Sequence, residues 1–354
     1  MLDIIEKKIL DGERITEEDA LLLYRQADIH TLGQLASHVR FRKNPDPLVT
    51  YVIDRNINYT NICISGCKFC AYYCAPENHG GFVLSMEELG KKIEETQKLG
   101  GTQILLQGGL HPELTLEFYE EMLRFIKGYG IHCHGFSPPE IVHFSRLSGL
   151  GVEDVLKRLI DAGLDSIPGG GAEILVDEVR SRIAPRKATS SQWLEVMEVA
   201  HKLGLRTTAT MMFGHLETDA HRIRHLSELR KLQDRTGGFT AFIPWPFQPG
   251  NTAIDVMPAT AHDYLRMLAI SRVFLDNFQN IQASWVTQGA KVAQIALYFG
   301  ANDFGSTMIE ENVVAAAGVS HRMSESQIRK QIRDAGFTPR QRLMNYSLVE
   351  KHAV

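Results

Sequence analysis

Cys63, Cys67 and Cys70 stand in the spacing CxxxCxxC within ICISGCKFCAYYC (62–74), and Cys74 follows four residues later. Thiolates this close, in a loop that also holds a Gly, can converge on one soft centre, and sulfur-only ligation selects zinc or an iron-sulfur cluster. The number of ligands decides the chemistry. Four close the coordination sphere, as in structural zinc or an electron-transfer cluster. Three leave one iron of a 4Fe-4S cluster open to bind and activate a substrate. The run is not the CxxCxxCxxxCP of bacterial ferredoxins. Cys133 is isolated and reads as a core residue.

Such a loop needs a scaffold, and the chain supplies a regular one. From Tyr51 onward, short β-rich runs alternate with helical patterns: YVIDRNINYT, TQILLQGG, IHCHGFS, DSIPGGG, RTTATMMFG, TAFIPWPFQPG, IQASWVTQG and a weak FGANDFGS. Eight strand-helix units predict an α/β fold, a (β/α)8 TIM-type barrel, with an open doubly wound sheet as the alternative. We divide the chain into a helical extension (1–48), the barrel (49–320) and a C-terminal helix and tail packed on it (321–354). No strand opens into GxGxxG or GxxxxGK[ST].

The strand ends carry the unusual residues, and a βα barrel gathers them on one face. Gly108 and Gly109 admit either close approach of a ligand or a tight turn. Glu173, after Gly169–Gly171, is able to hold ribose hydroxyls or to start a helix, the latter worth about 0.3–1 kcal/mol. Arg186 and Lys187 offer a grip for a carboxylate or a solvated surface. His132 and His134 share one strand face, as a metal pair or, on the favoured reading, as satisfied barrel histidines. His215, Gln248, Asn251, Trp285 and Gln288 follow later strands and are the substrate-pocket candidates; ordinary lining of a barrel rim is the alternative.

Composition removes whole classes of function. The 354 residues carry 38 Lys+Arg against 42 Asp+Glu, a formal net charge of −4, and a pI near 6.4. No basic field for nucleic acid exists. The start, MLDIIEKKILDGERITEEDA, lacks the apolar core of a signal peptide, and no 18-residue apolar run suits a membrane, so a cytoplasmic protein is expected.

The cysteine spacing with Phe69 before the third Cys, placed after the first barrel strand, resembles the radical S-adenosyl-L-methionine (SAM) superfamily. The resemblance implies a 4Fe-4S cluster on Cys63, Cys67 and Cys70 with SAM at the open iron. It assigns Gly108 and Gly109 to the methionine end and a basic residue near Arg186 to the carboxylate; Glu173 then suits the ribose, while Phe69 and Tyr72 stack beside the adenine, pack the cluster loop against the barrel, or do both. YVIDRNINYTNIC, LLQGGLHPEL, IPGGGAEIL, TTATMMFGHLET, FIPWPFQPGNT, QASWVTQG and GANDFGSTMIEENV look like the menaquinone-pathway group that includes aminofutalosine synthase and cyclic dehypoxanthine futalosine synthase. PWPFQPGNT and SWVTQG favour the latter family; deazaflavin-forming synthases and biotin synthase are more distant. That family implies dehypoxanthine futalosine as substrate, a reducing donor such as flavodoxin or ferredoxin, hydrogen abstraction from the ribose C-4′ and ring closure onto a benzoate. A base must complete the reaction, with His215, Glu173 and Asp303 as candidates. Aminofutalosine synthase and a non-catalytic four-Cys iron-sulfur or zinc protein are the competing readings.

Overall fold

A computed structural model describes residues 1–350. Its strands are β1 (Leu48–Val52), β2 (Asp54–Asn58), β3 (Gln103–Gln107), β4 (His132–Gly135), β5 (Ser166–Ile167), β6 (Arg206–Phe213), β7 (Phe239–Pro246), β8 (Asn280–Ile281), β9 (Asp303–Ser306) and β10 (Thr338–Gln341). β2 to β8 form one parallel sheet in sequence order, and β1 lies between β9 and β10 in a second. The bridge Gln282↔Asp303 carries the first sheet on to β9. Since β9 pairs with β1 and β1 runs into β2 after a single residue, the ring closes as a TIM-type barrel.

Period-two alternation explains both faces of this wall. Ile104 and Leu106 of β3, and Ala209, Met211 and Phe213 of β6, are buried in the apolar core. Each large apolar side chain buried there stabilises the fold by about 1.5–3 kcal/mol. The alternate residues Asp54, Asn56, Asn58, Gln103, Gln107, Thr208 and Thr210 line an internal cavity instead. A TIM barrel is ordinarily filled by branched apolar side chains. Polar residues at those positions leave this one hollow.

The extension consists of helices Leu2–Asp11, Glu17–Gln26 and Ile29–Lys43, the last packed on helix Ala261–Phe274. Fully buried Arg40 donates to the carbonyls of Asn44 (2.7 Å), Asp46 (3.0 Å) and Leu48 (2.6 Å), fixing the Pro-containing entry into β1. Two sequence expectations change. IQASWVTQG contributes only Ile281 to the two-residue strand β8 before helix Trp285–Ala296 begins, because the Ser284 N–H is taken by the Tyr264 hydroxyl (2.7 Å) and the Trp285 indole by the Ser306 carbonyl (2.9 Å). The expected C-terminal helix and tail contain helix Glu325–Asp334 and then β10, parallel to β1; residues 351–354 lie outside the described residues. Past β10, Arg342, Met344 and Tyr346 line the cavity from the barrel floor.

Candidate active site

The cysteine loop follows β2 and is pinned by backbone hydrogen bonds over the barrel mouth. Ile64 N–H donates to Leu110 O (3.0 Å), Lys68 N–H to Ile183 O (2.8 Å) and Ala253 N–H to Lys68 O (2.8 Å). Gly109 passes beneath it: a Cβ there would lie 2.2 Å from Ile62 O, and one on Gly108 2.4 Å from the Tyr59 ring. Close approach within the chain therefore accounts for both glycines. The Gly108 N–H donates to Glu140 (3.0 Å), which also accepts from Tyr59 (2.7 Å) and Ser137 (2.6 Å). Burial pushes the Glu140 carboxyl up to about 7. Sequence reasoning missed Glu140, whose three donors the fold alone brings together.

Cys63, Cys67 and Cys70 line the cavity and Cys74 does not. The loop aims hydrogen bonds at the three sulfurs: Ser65 N–H to Cys63 (3.4 Å), the Ser65 hydroxyl beside Cys67 (3.1 Å) and the Tyr72 and Tyr73 amides toward Cys70. Donors so placed stabilise thiolate sulfur and tune an iron-sulfur centre. Burial pushes the Cys67 and Cys70 thiols up from 9.0, opposed by the charge of Lys187. Among the described residues no three His, Cys, Asp or Glu stand at metal-ligand spacing, so the thiols share a wall without meeting at a point. Cys74 clasps the loop base through its backbone (Cys63 N–H to Cys74 O, 2.9 Å), while its sulfur turns to Ala75 O and Asn78 O. The residue types and their donors fit a 4Fe-4S group held by three thiolates.

The cavity below has a volume of about 440 Å³, within the range of small-molecule sites. Phe69, Tyr72, Gly108, Gly109, Glu173, Gln248 and Trp285 line it. Glu173 is buried and accepts from Lys187 at 2.6 Å; burial opposes its ionisation, but Lys187 and Arg180 hold it below 4.5. Buried Arg180 steadies this segment by donating to Gly171 O (3.1 Å), Ala172 O (2.5 Å) and Ala188 O (2.5 Å).

Other sequence candidates lie elsewhere. Arg186 is outside the lining, its guanidinium against Gly66 and donating to Ser65 O (3.3 Å); its neighbour Lys187 is the one that enters. The His215 ring accepts from Leu216 N–H (2.7 Å) and donates to Met212 O (3.1 Å), closed in its own turn. Asn251 clasps Ala316 O (2.9 Å), and Gln288 sits beyond the lining. Asp303 begins β9, so it lies at the floor and not the mouth, where Arg342 and Thr50 occupy its carboxylate. Sequence reasoning missed Arg342, Met344 and Tyr346, whose segment shows no motif.

Residues 57–229 match the radical SAM superfamily, and residues 236–353 match the CofH/MqnC C-terminal region. The cyclic dehypoxanthine futalosine synthase of Halalkalibacterium halodurans is 46% identical over 351 residues, 98% of this chain and 95% of the relative. The 5-amino-6-(D-ribitylamino)uracil--L-tyrosine 4-hydroxyphenyl transferase of Archaeoglobus fulgidus is 44% identical over 309 residues, 85% of this chain and 89% of the relative. Among solved structures, the FeFe-hydrogenase maturase HydG from Carboxydothermus hydrogenoformans aligns with a TM-score of 0.78 at 18% identity, covering 98% of this chain and 80% of that one, a likeness of fold. Both halves of the chain are thus matched, and the first relative is similar along almost its whole length. The chain belongs to the radical SAM superfamily and, within it, to the family of the cyclic dehypoxanthine futalosine synthases.

Proposed function

We propose that the protein converts dehypoxanthine futalosine to its cyclic form, with a 4Fe-4S cluster on Cys63, Cys67 and Cys70 and SAM bound beside it. The observation that carries this reading is the set of three thiols on the cavity wall with Cys74 turned away, in a chain 46% identical to a synthase of that name. Reduced by an electron donor such as flavodoxin or ferredoxin, the bound cluster and SAM supply a 5′-deoxyadenosyl radical.

The protein's own task is geometry. A primary carbon radical attacks most C–H bonds, so its neighbour must be the intended ribose C-4′ hydrogen and water must be kept out. Phe69 and Tyr72 flank the thiols as apolar faces for a purine, and Glu173 with Lys187 offers opposite charges for a ribose hydroxyl and a carboxylate. Past the ends of β8 and β7, Trp285 is an apolar wall for a flat ring, and Gln248 adds a polar group to the same lining. The buried side-chain oxygens Asn56 Oδ1 and Gln103 Oε1 lack protein donors, and both residues line the cavity. They suit sugar hydroxyls.

Anaerobically reconstituted protein with reductant, SAM and dehypoxanthine futalosine tests the reading by mass. We expect the cyclised product and free 5′-deoxyadenosine. An adenosylated product would indicate an aminofutalosine synthase. Reaction only when L-tyrosine and 5-amino-6-(D-ribitylamino)uracil are supplied would indicate the chemistry named for the Archaeoglobus relative.

A further inference from the structure

Closing a carbon radical onto a benzoate leaves a cyclohexadienyl radical, which must lose one proton and one electron to become aromatic. None of the three groups the sequence offers as a base is free at the cavity. His215 is closed in its turn, Glu173 is paired with Lys187, and Asp303 is held at the floor by Arg342. His134 differs from all three. It lies on β4, is 6% exposed and lines the cavity. Its Nδ1 is 2.7 Å from Ser166 Oγ, and among the described residues its Nε2 has no hydrogen-bond partner.

We propose, on the basis of the cyclase reading above, that His134 takes the proton in the aromatising step and that Ser166 and His132 carry its charge away from the cavity. Ser166 Oγ also lies 2.7 Å from His132 Nε2. One hydroxyl has one proton, so it accepts from one imidazole while donating to the other. With Nδ1–H of His134 donating to Ser166 and Ser166 donating to His132, the Nε2 lone pair of His134 faces the substrate. Proton arrival at Nε2 then allows a concerted shift along the chain: Nδ1–H to Ser166, Ser166 O–H to His132. The positive charge ends on His132, whose proton affinity Asp165 increases.

The surroundings keep this base in its working form. Burial, then the neighbouring His132 and the guanidinium of Arg342, hold His134 well below 6.5, and burial lowers His132 against the pull of Asp165. Both rings are neutral near pH 7. In the step itself the C–H bond at the tetrahedral ring carbon breaks. Its proton goes to His134 Nε2, its electron pair joins the five π electrons, and one electron leaves to a one-electron acceptor of the iron-sulfur class. An aromatic sextet results.

The test compares reconstituted wild type, His134→Gln, Ser166→Ala and His132→Gln on C-4′-deuterated substrate. His134→Gln should still deliver deuterium to 5′-deoxyadenosine while the aromatic cyclised product falls about 100-fold or more, the size of a lost general base, with uncyclised or ring-reduced compounds in its place. Ser166→Ala and His132→Gln should lower kcat with KM unchanged and displace the pH-rate profile, which a purely structural role would not do. A readout without cluster or turnover is ¹⁵N NMR of histidine-labelled apo-protein: at pH 7 His134 should be neutral with its proton on Nδ1, and Ser166→Ala should change that tautomer. Wild-type yield of aromatic product from His134→Gln would overturn the proposal, as would a proton on Nε2 in the wild type. Absence of deuterium transfer in the wild type would overturn the cyclase reading first, and so be told apart.

Discussion

Lys187 Nζ lies 2.6 Å from Glu173 Oε1 and 5.1 Å from the centre of the Phe69 ring, tying the loop after β5 to the cysteine loop. Breaking a buried pair from one side leaves an uncompensated charge and costs about 3–5 kcal/mol. Lys187→Met should therefore lower the unfolding free energy by that amount, read as a lower denaturant midpoint at unchanged m. The pH dependence gives a second signature. Glu173 is held below 4.5 in the folded wild type, so its contribution is present above 4.5 and is lost as pH falls through the folded value. Without Lys187, burial dominates, and stability should instead rise as pH falls through the carboxylate range.

The ligand set has an equally direct check. Alanine at Cys63, Cys67 or Cys70 should abolish iron retention after anaerobic reconstitution, and Cys74→Ala should keep most of it. Equal iron loss from Cys74→Ala would mean a closed four-thiolate site.

Glu140 is a buried carboxyl with three donors and a pKa pushed up to about 7. A raised value means stability that is full below 4.5 and is lost as pH rises through about 7, about 3 kcal/mol in all. The thermal midpoint of the wild type should fall from pH 5 to pH 8 relative to Glu140→Gln. Parallel curves would show that the three donors keep Glu140 ionised throughout.

Asp303 and Arg342 couple β9 to the C-terminal segment at the barrel floor. Asp303→Ala leaves a buried guanidinium unpaired and should cost about 3–5 kcal/mol. We expect reduced stability with turnover per folded, iron-loaded molecule unchanged. Selective loss of the cyclised product would return Asp303 to the reaction.

The barrel and its cysteine loop were legible because both are local patterns: alternation, helix caps and an eight-residue spacing. Even the weak FGANDFGS strand closes the ring as β9. Side-chain direction was less accessible. Arg186 and Lys187 are adjacent, yet only Lys187 enters the cavity, a difference set by where Gly66 leaves room. Asp303 begins β9 and so lies at the floor, and the weak FGANDFGS run does not show where its strand starts. His134 and Ser166 are 32 residues apart in sequence, and only the pairing of β4 with β5 joins them. The polar alternation Asp54, Asn56, Asn58 was in plain view and marks the hollow interior.

On the proposed reading, a radical generated at the mouth takes hydrogen from the substrate's ribose. Dehypoxanthine futalosine carrying deuterium at C-4′, turned over once by the reduced, reconstituted enzyme with unlabelled SAM, tests it most directly. We expect one deuterium in the released 5′-deoxyadenosine and none at C-4′ of the cyclised product. Unlabelled 5′-deoxyadenosine beside cyclised product, or an adenosyl group retained in the product, would contradict it.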